Sequence, residues 1–127
     1  MRVTQKFVIY GRLPSLNEYV NSCRSNRYGA NSMKKKYERM ITEFIEYFKI
    51  QPVKSYPVHM KITWYEKNNR RDVDNVTFGT KFVLDALVKN GILEDDSRKY
   101  ITSVSHEVRT DKDTPRIEVE MEEEDGQ

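Results

Sequence analysis

The sequence predicts an α+β domain in which two main helices pack on a mixed β-sheet, in the order β–loop–α–β–α–β–β. Three features carry that prediction. Met33, Tyr37, Met40, Ile41, Phe44, Ile45 and Phe48 recur at three- and four-residue steps and form one apolar helical stripe. Val58, Met60, Ile62 and Trp64 alternate with His59, Lys61, Thr63 and Tyr65, the period of a half-buried strand. Two further alternating runs, KYITSVSHEV and RIEVEME, follow near the C-terminus, separated by the turn TDKDTP.

In chain order, VTQKFVIY (residues 3–10) reads as a strand that becomes fully apolar at Phe7–Tyr10. Gly11–Ser32 is rich in Gly, Pro, Ser and Asn and reads as a long, partly ordered loop. Its Arg12, Tyr19, Arg24, Arg27 and Tyr28 suit nucleic-acid contact and equally suit plain mobility. The first helix follows, with Asn31 or Ser32 as its cap. Lys34–Lys36 lie on its exposed face and oppose the helix dipole, so they do not serve helix stability. Pro52 and Pro57 bracket a turn before the strand Val58–Glu66. KNNRR then connects to a second helix over Asp72–Lys89, which Asn90–Gly91 ends with a left-handed stop. Residues 1–120 form one domain, and 121–127 an acidic tail.

Composition narrows the classes. At 127 residues the chain is long enough for one core. With 37% hydrophobic and 33% charged residues, that core should be thin or the chain oligomeric. Eight tyrosines argue against disorder. The single Cys23 excludes an internal disulfide, and no Cys/His cluster suits zinc. The N-terminal stretch holds only the short apolar run FVIY, so neither a signal peptide nor a membrane span is expected, and the protein is expected to be soluble and cytoplasmic. The net charge of +2 conceals an asymmetry: without the six acidic residues of Glu118–Gln127, 22 basic and 14 acidic groups remain, a net of +8. A basic body with an acidic end fits a polyanion binder, and also fits chance surface charge.

The stretch NNRRDVDNVTFGTKF (Asn68–Phe82) sets two arginines against two alternating aspartates at the mouth of the second helix. Asp72 as a cap and Asp74 in the first turn would each be explained by helix termini alone. On a continuous helix, however, Lys81 and Asp85 both fall within about 20° of Asp74, away from the buried side marked by Val76, Val83 and Leu87. A plain surface pair between Lys81 and Asp85, worth roughly 0.2–0.5 kcal/mol, is the simpler account of part of this stripe. Glu94, Asp95 and Asp96 then make the loop before the next strand unusually acidic. Three carboxylates from two segments suit Mg²⁺, a hard cation that takes oxygen ligands and keeps several waters. Such an ion screens phosphate charge and lowers the pKa of an attacking water. Arg70, Arg71 or Lys81 would hold the scissile phosphate. Other templates fail: Val76 and Thr77 break the EF-hand pattern, Gly79 stands alone without a phosphate loop, and His59 and His106 lie in strands far from the cluster.

RRDVDN (Arg70–Asn75), KFVLDAL (Lys81–Leu87) and NGILEDD (Asn90–Asp96) resemble, in order, the core motifs of the RusA family of phage- and prophage-associated Holliday junction resolvases. LPSLNEYV (Leu13–Val20) resembles that family's Pro-Ser-x-Asn loop, and the likeness spans about residues 5–120. The resemblance implies a homodimeric endonuclease of DNA recombination and repair. It would depend on Mg²⁺, with Mn²⁺ as a substitute, and cut four-way DNA junctions by paired symmetric nicks. It matches Asp72, Asp74 and Asp96 to catalytic, metal-holding aspartates and Lys81 to the catalytic lysine. Asn17 and Asn75 match supporting positions, and Arg70, Arg71, Arg24 and Arg27 are the DNA-binding candidates beside them. In the family's pattern the lysine follows the second aspartate by one helical turn, whereas Lys81 stands two turns on, about 5 Å further along the axis. Three other readings remain open on the residues: a junction or single-strand binding module without turnover, a different metal-dependent nuclease, and a small interaction protein whose aspartates cap helices.

Overall fold

The computed structural model describes residues 3–25 and 28–124. Its elements are β1 (Val3–Tyr10), α1 (Leu16–Ser25), α2 (Gly29–Tyr47), β2 (Val58–Glu66), α3 (Val73–Thr77), α4 (Thr80–Lys89), β3 (Ile101–Thr110) and β4 (Arg116–Glu123). The strands form one mixed sheet in the order β1-β4-β2-β3. β4 runs antiparallel to both β1 and β2, and β3 runs parallel to β2. This is the expected single α+β domain with a mixed sheet. β3 and β4 are consecutive in the chain yet do not pair, because β2 lies between them. The parallel β2–β3 pair needs a crossover rather than a hairpin, and α3 and α4 supply it.

One face of the sheet makes the core. Phe7 and Ile9 of β1, Ile117, Val119 and Met121 of β4, and the four alternating residues of β2 are all buried. They join Ile41 and Ile45 of α2 and Phe82, Val83, Ala86 and Leu87 of α4 in one cluster. The alternation read in β2 is realised without a slip: Val58, Met60, Ile62 and Trp64 are each at most 2% exposed. Each such side chain contributes about 1.5–3 kcal/mol of burial. The modest apolar content therefore goes to one sheet face and the helix stripes, while Lys6, Lys61 and Glu120 stand on the opposite face.

Four expectations are corrected. The Gly11–Ser32 loop is mostly helical, since α1 occupies Leu16–Ser25 and α2 begins at Gly29. The cause is a capping box at Ser15-x-x-Glu18: the Glu18 N–H donates to Ser15 Oγ and the Ser15 N–H to Glu18 Oε1, both at 3.2 Å. Neither Asn31 nor Ser32 caps α2, whose N-cap is Tyr28 with no side-chain cap bond. At the other end, β4 continues to Glu123, past the point where the acidic tail was expected to begin. Met121 is buried in the core, and Glu123, 6% exposed, accepts the backbone N–H groups of Lys54 at 2.7 Å and Ser55 at 2.9 Å.

The fourth correction bears on function. The helix expected over Asp72–Lys89 is two helices, with Phe78 and Gly79 between them. There the bonds shorten to three-residue steps, Gly79 N–H to the Val76 carbonyl, Lys81 to Phe78 and Phe82 to Gly79. Such turns wind about 20° more per residue than an α-helix, so the junction rotates α4 by roughly 60° against the projection drawn from Asp74. The face shared by Asp74 and Lys81 on a continuous helix is not carried across it. The Asn90–Gly91 stop is as expected: Gly91 has φ +72°, and the Ile92 N–H reaches the Leu87 carbonyl at 2.9 Å while Gly91 reaches Val88.

Candidate active site

Asp72 is the N-cap of α3 by backbone position, with extended φ and ψ and its carbonyl accepting the Val76 N–H at 3.0 Å. Its side chain makes no cap bond. A capping aspartate would use its carboxylate on the helix amides; this one leaves it exposed. Asp74, in the first turn of α3, is exposed as well. Among the described residues neither carboxylate has a hydrogen bond or ion pair, and the same holds for Asp95 and Asp96. Side-chain capping thus does not account for Asp72, while Asp74 keeps a first-turn position that favours an acid.

The segment carrying the pair is pinned from both sides. The Arg71 guanidinium grips Glu66 at the end of β2 with two parallel bonds, Nε to Oε1 at 2.7 Å and Nη2 to Oε2 at 2.9 Å. Its Nη1 reaches Glu18 of α1 at 3.1 Å and the Leu13 carbonyl at 3.4 Å. Arg71 and Glu66 are only 16% and 13% exposed at their side chains, so this fork is a well-shielded charge-assisted link. Glu18 also pairs with Arg12. Burial works to raise the Glu18 pKa, but the Ser15 N–H, Arg12, the Ser15 hydroxyl and Arg71 outweigh it, and its carboxyl sits below the ordinary glutamate value. On the far side of Asp74, Asn75 Oδ1 accepts the backbone N–H of Asn17 at 3.1 Å, tying α3 to the first turn of α1. The Pro-Ser-x-Asn segment and the Asp-x-Asp-Asn segment are therefore one structural unit.

The other candidates are placed as follows. Lys81 is exposed in the first turn of α4 and pairs with Asp85 at 3.9 Å, both more than 40% exposed at their side chains. Asp96 faces a cavity of about 350 Å³ between α2 and α4, together with Lys34, Glu38, Asp85 and Lys89. Asp72 and Asp74 do not line that cavity. Arg70 and Arg24 are exposed, and Arg27 lies outside the described residues. Tyr19 is half-buried, its ring packing on Phe78 at 5.2 Å and Phe82 at 6.3 Å. Glu18 and Glu66 were missed by sequence reasoning. The Ser-x-x-Glu spacing was the signal for the first; nothing local marks the second.

Carboxylate oxygens are the donors Mg²⁺ takes, and the ion is ordinarily held by one or two carboxylates together with waters and substrate phosphates. The exposed, unpaired oxygens of Asp72 and Asp74 fit that description. Among the described residues, no three Asp, Glu, His or Cys side chains are grouped to hold an ion, so Asp96 does not complete a preassembled cage. Among the described residues no helix is long and apolar enough to cross a membrane.

A protein-family model described as endodeoxyribonuclease RusA matches residues 11–122 of this chain. No curated protein matches it. The matched span takes in every element from α1 to β4, and both segments joined by the Asn17–Asn75 bond.

Proposed function

We propose, from the premise that this chain belongs to the RusA endodeoxyribonuclease family, that it is a Mg²⁺-dependent nuclease that resolves four-way DNA junctions by paired symmetric cuts, in DNA recombination and repair. The observation that carries this reading is the exposed Asp72–Asp74 pair, whose carboxylates are spent on neither capping nor ion pairs among the described residues.

Asp72 and Asp74 would hold the ion, with Asp96 as the third catalytic aspartate, and Mn²⁺ would substitute. Bound there, Mg²⁺ would supply charge neutralisation and a more acidic water. The chain's own residues do the positioning. Arg71 and Asn75 fix both ends of the Asp-x-Asp segment against Glu66, Glu18 and the Asn17 backbone. Held in this way, the carboxylates need little reordering when a phosphodiester arrives, which is where rate is gained. Lys81 would place its ammonium against the negative charge that builds on the phosphate oxygens, with Asp85 limiting the arc it sweeps. Arg70 and Arg24, exposed cations on the basic body, would meet backbone phosphates.

Two opposed cuts require two active sites. A two-fold homodimer would present them in the symmetry of a four-way junction.

The test incubates purified protein with a synthetic mobile four-way junction in Mg²⁺, beside an Asp74→Asn variant. Paired symmetric nicks from the wild type alone, with junction binding kept in the variant, are the expected result. Junction binding without nicks from either protein would overturn the nuclease reading in favour of a binding module.

A further inference from the structure

A separate recess of about 370 Å³, which shares no lining residue with the 350 Å³ cavity, opens between the Gly11–Arg12 turn and the segment from Glu66 to Arg71. Four cations line it, Arg12, Lys67, Arg70 and Arg71, against one carboxylate, Glu66. Their roles divide. Glu66 is covered by the Arg71 fork, and Arg71 and Arg12 also share Glu18, so these two arginines are committed to holding the protein together. Lys67 and Arg70 have no ion pair among the described residues.

The walls of the recess are fixed by backbone. The Gly11 N–H donates to the Pro115 carbonyl at 3.0 Å, with Gly11 at φ +112°, where a side chain would be strained. The Arg70 N–H donates to Asn68 Oδ1 at 3.0 Å, a local turn that sets the direction in which Arg70 leaves the chain. Arg70 and Asp72 are two residues apart, so the recess adjoins the Asp-x-Asp pair.

We propose that this recess is a phosphate subsite, in which Lys67 and Arg70 hold a DNA backbone phosphate next to the scissile one. The inference deepens the nuclease reading and rests on it. Arg71 acts there chiefly as a positioning residue, since four of its five N–H groups are bonded to Glu66, Glu18 and the Leu13 carbonyl. A net positive recess with two uncommitted cations, set beside carboxylates that would otherwise repel the substrate, is what a polyanion approaching Asp72 and Asp74 requires.

The experiment measures junction binding by fluorescence anisotropy across a salt series, in EDTA so that no cutting intervenes. Wild type is compared with Lys67→Ala/Arg70→Ala and with the charge-keeping Lys67→Arg/Arg70→Lys. Losing two phosphate contacts should flatten the slope of log K against log[salt] by about 1.8. The charge-keeping variant should retain the wild-type slope, and thermal melting should be unchanged in both, since both residues are exposed. A wild-type slope in the alanine variant, with wild-type protein still nicking junctions, would overturn the subsite and leave the nuclease reading standing. Wild-type protein that neither binds nor nicks junctions would overturn both.

Discussion

Gly79→Ala tests how the two halves of the site are joined. Gly79 has φ −57° and ψ −16°, a backbone alanine adopts freely, and helix propensity alone would favour alanine by about 1 kcal/mol. Packing argues the opposite. A Cβ there would stand 2.9 Å from Trp64 Cζ3, 3.0 Å from Cη2 and 3.1 Å from Leu13 Cβ, whereas carbon pairs rest at about 3.5–4.0 Å. Trp64 is 1% and Leu13 3% exposed, so neither can swing into solvent. Trp64 is held further by its Nε1–H donating to His106 Nδ1 at 3.1 Å. Overpacking of this kind costs about 1–3 kcal/mol. Three simultaneous contacts on buried groups put the cost in the upper part of that range. The net loss is then about 1–2 kcal/mol, a fall in Tm of roughly 4–8 °C for a domain of this size. Thermal melting followed by circular dichroism reads the loss, and the fluorescence of the sole tryptophan reports whether Trp64 has moved. Because α4 pivots on α3 at this point, junction cutting should fall more than junction binding. An unchanged or higher Tm with unaltered Trp64 emission would show that propensity governs here and that the close approach to Trp64 does not break the helix.

Glu123→Ala leaves the Lys54 and Ser55 N–H groups without their acceptor and should cost about 2 kcal/mol in urea unfolding, while Glu123→Gln, which keeps an acceptor, should cost less; equal stability for all three would sink that role. Desolvation holds His106 below the ordinary histidine value, and its Nδ1 must stay unprotonated to accept the Trp64 N–H. Between the folded value and about pH 6.5 the unfolded chain binds more protons, so stability is full above pH 6.5 and declines as pH falls below it; an NMR titration midpoint for His106 at or above 6.5 would contradict this. Glu18 follows the same sign lower down, its contribution present above about pH 4.5 and lost as pH falls through its depressed folded value. Excess EDTA should abolish junction nicking and leave junction binding intact, and nicking that persists would remove the metal from the mechanism.

Features set by residues two to four apart were legible in the sequence. The period of β2, the apolar stripe of α2 and the Gly91 stop each depend on near neighbours, and the structure follows them. The capping box at Ser15-x-x-Glu18 was equally local and was outweighed by the loop-like composition around it. The order of motifs from Leu13 to Asp96 pointed to the family through residue identity, independently of geometry.

What the tertiary structure decided are the matters that distant residues control. The bend at Gly79 is accompanied by close contact with Trp64, fifteen positions earlier and on another element, and no helical periodicity reports it. Arg71 reads in the sequence as a free cation beside an acid pair; only folding brings Glu18 and Glu66 within reach and turns it into a strut. Glu123 reads as part of a solvated acidic run, until pairing of β4 with β1 and β2 carries it inside to meet the Lys54 and Ser55 amides. The sequence by itself thus determined the strands, the apolar stripe of α2 and the order of the acidic and basic motifs. Which charges stay free to meet a phosphate, and which are consumed in holding the fold, was decided by contacts between segments far apart in the chain.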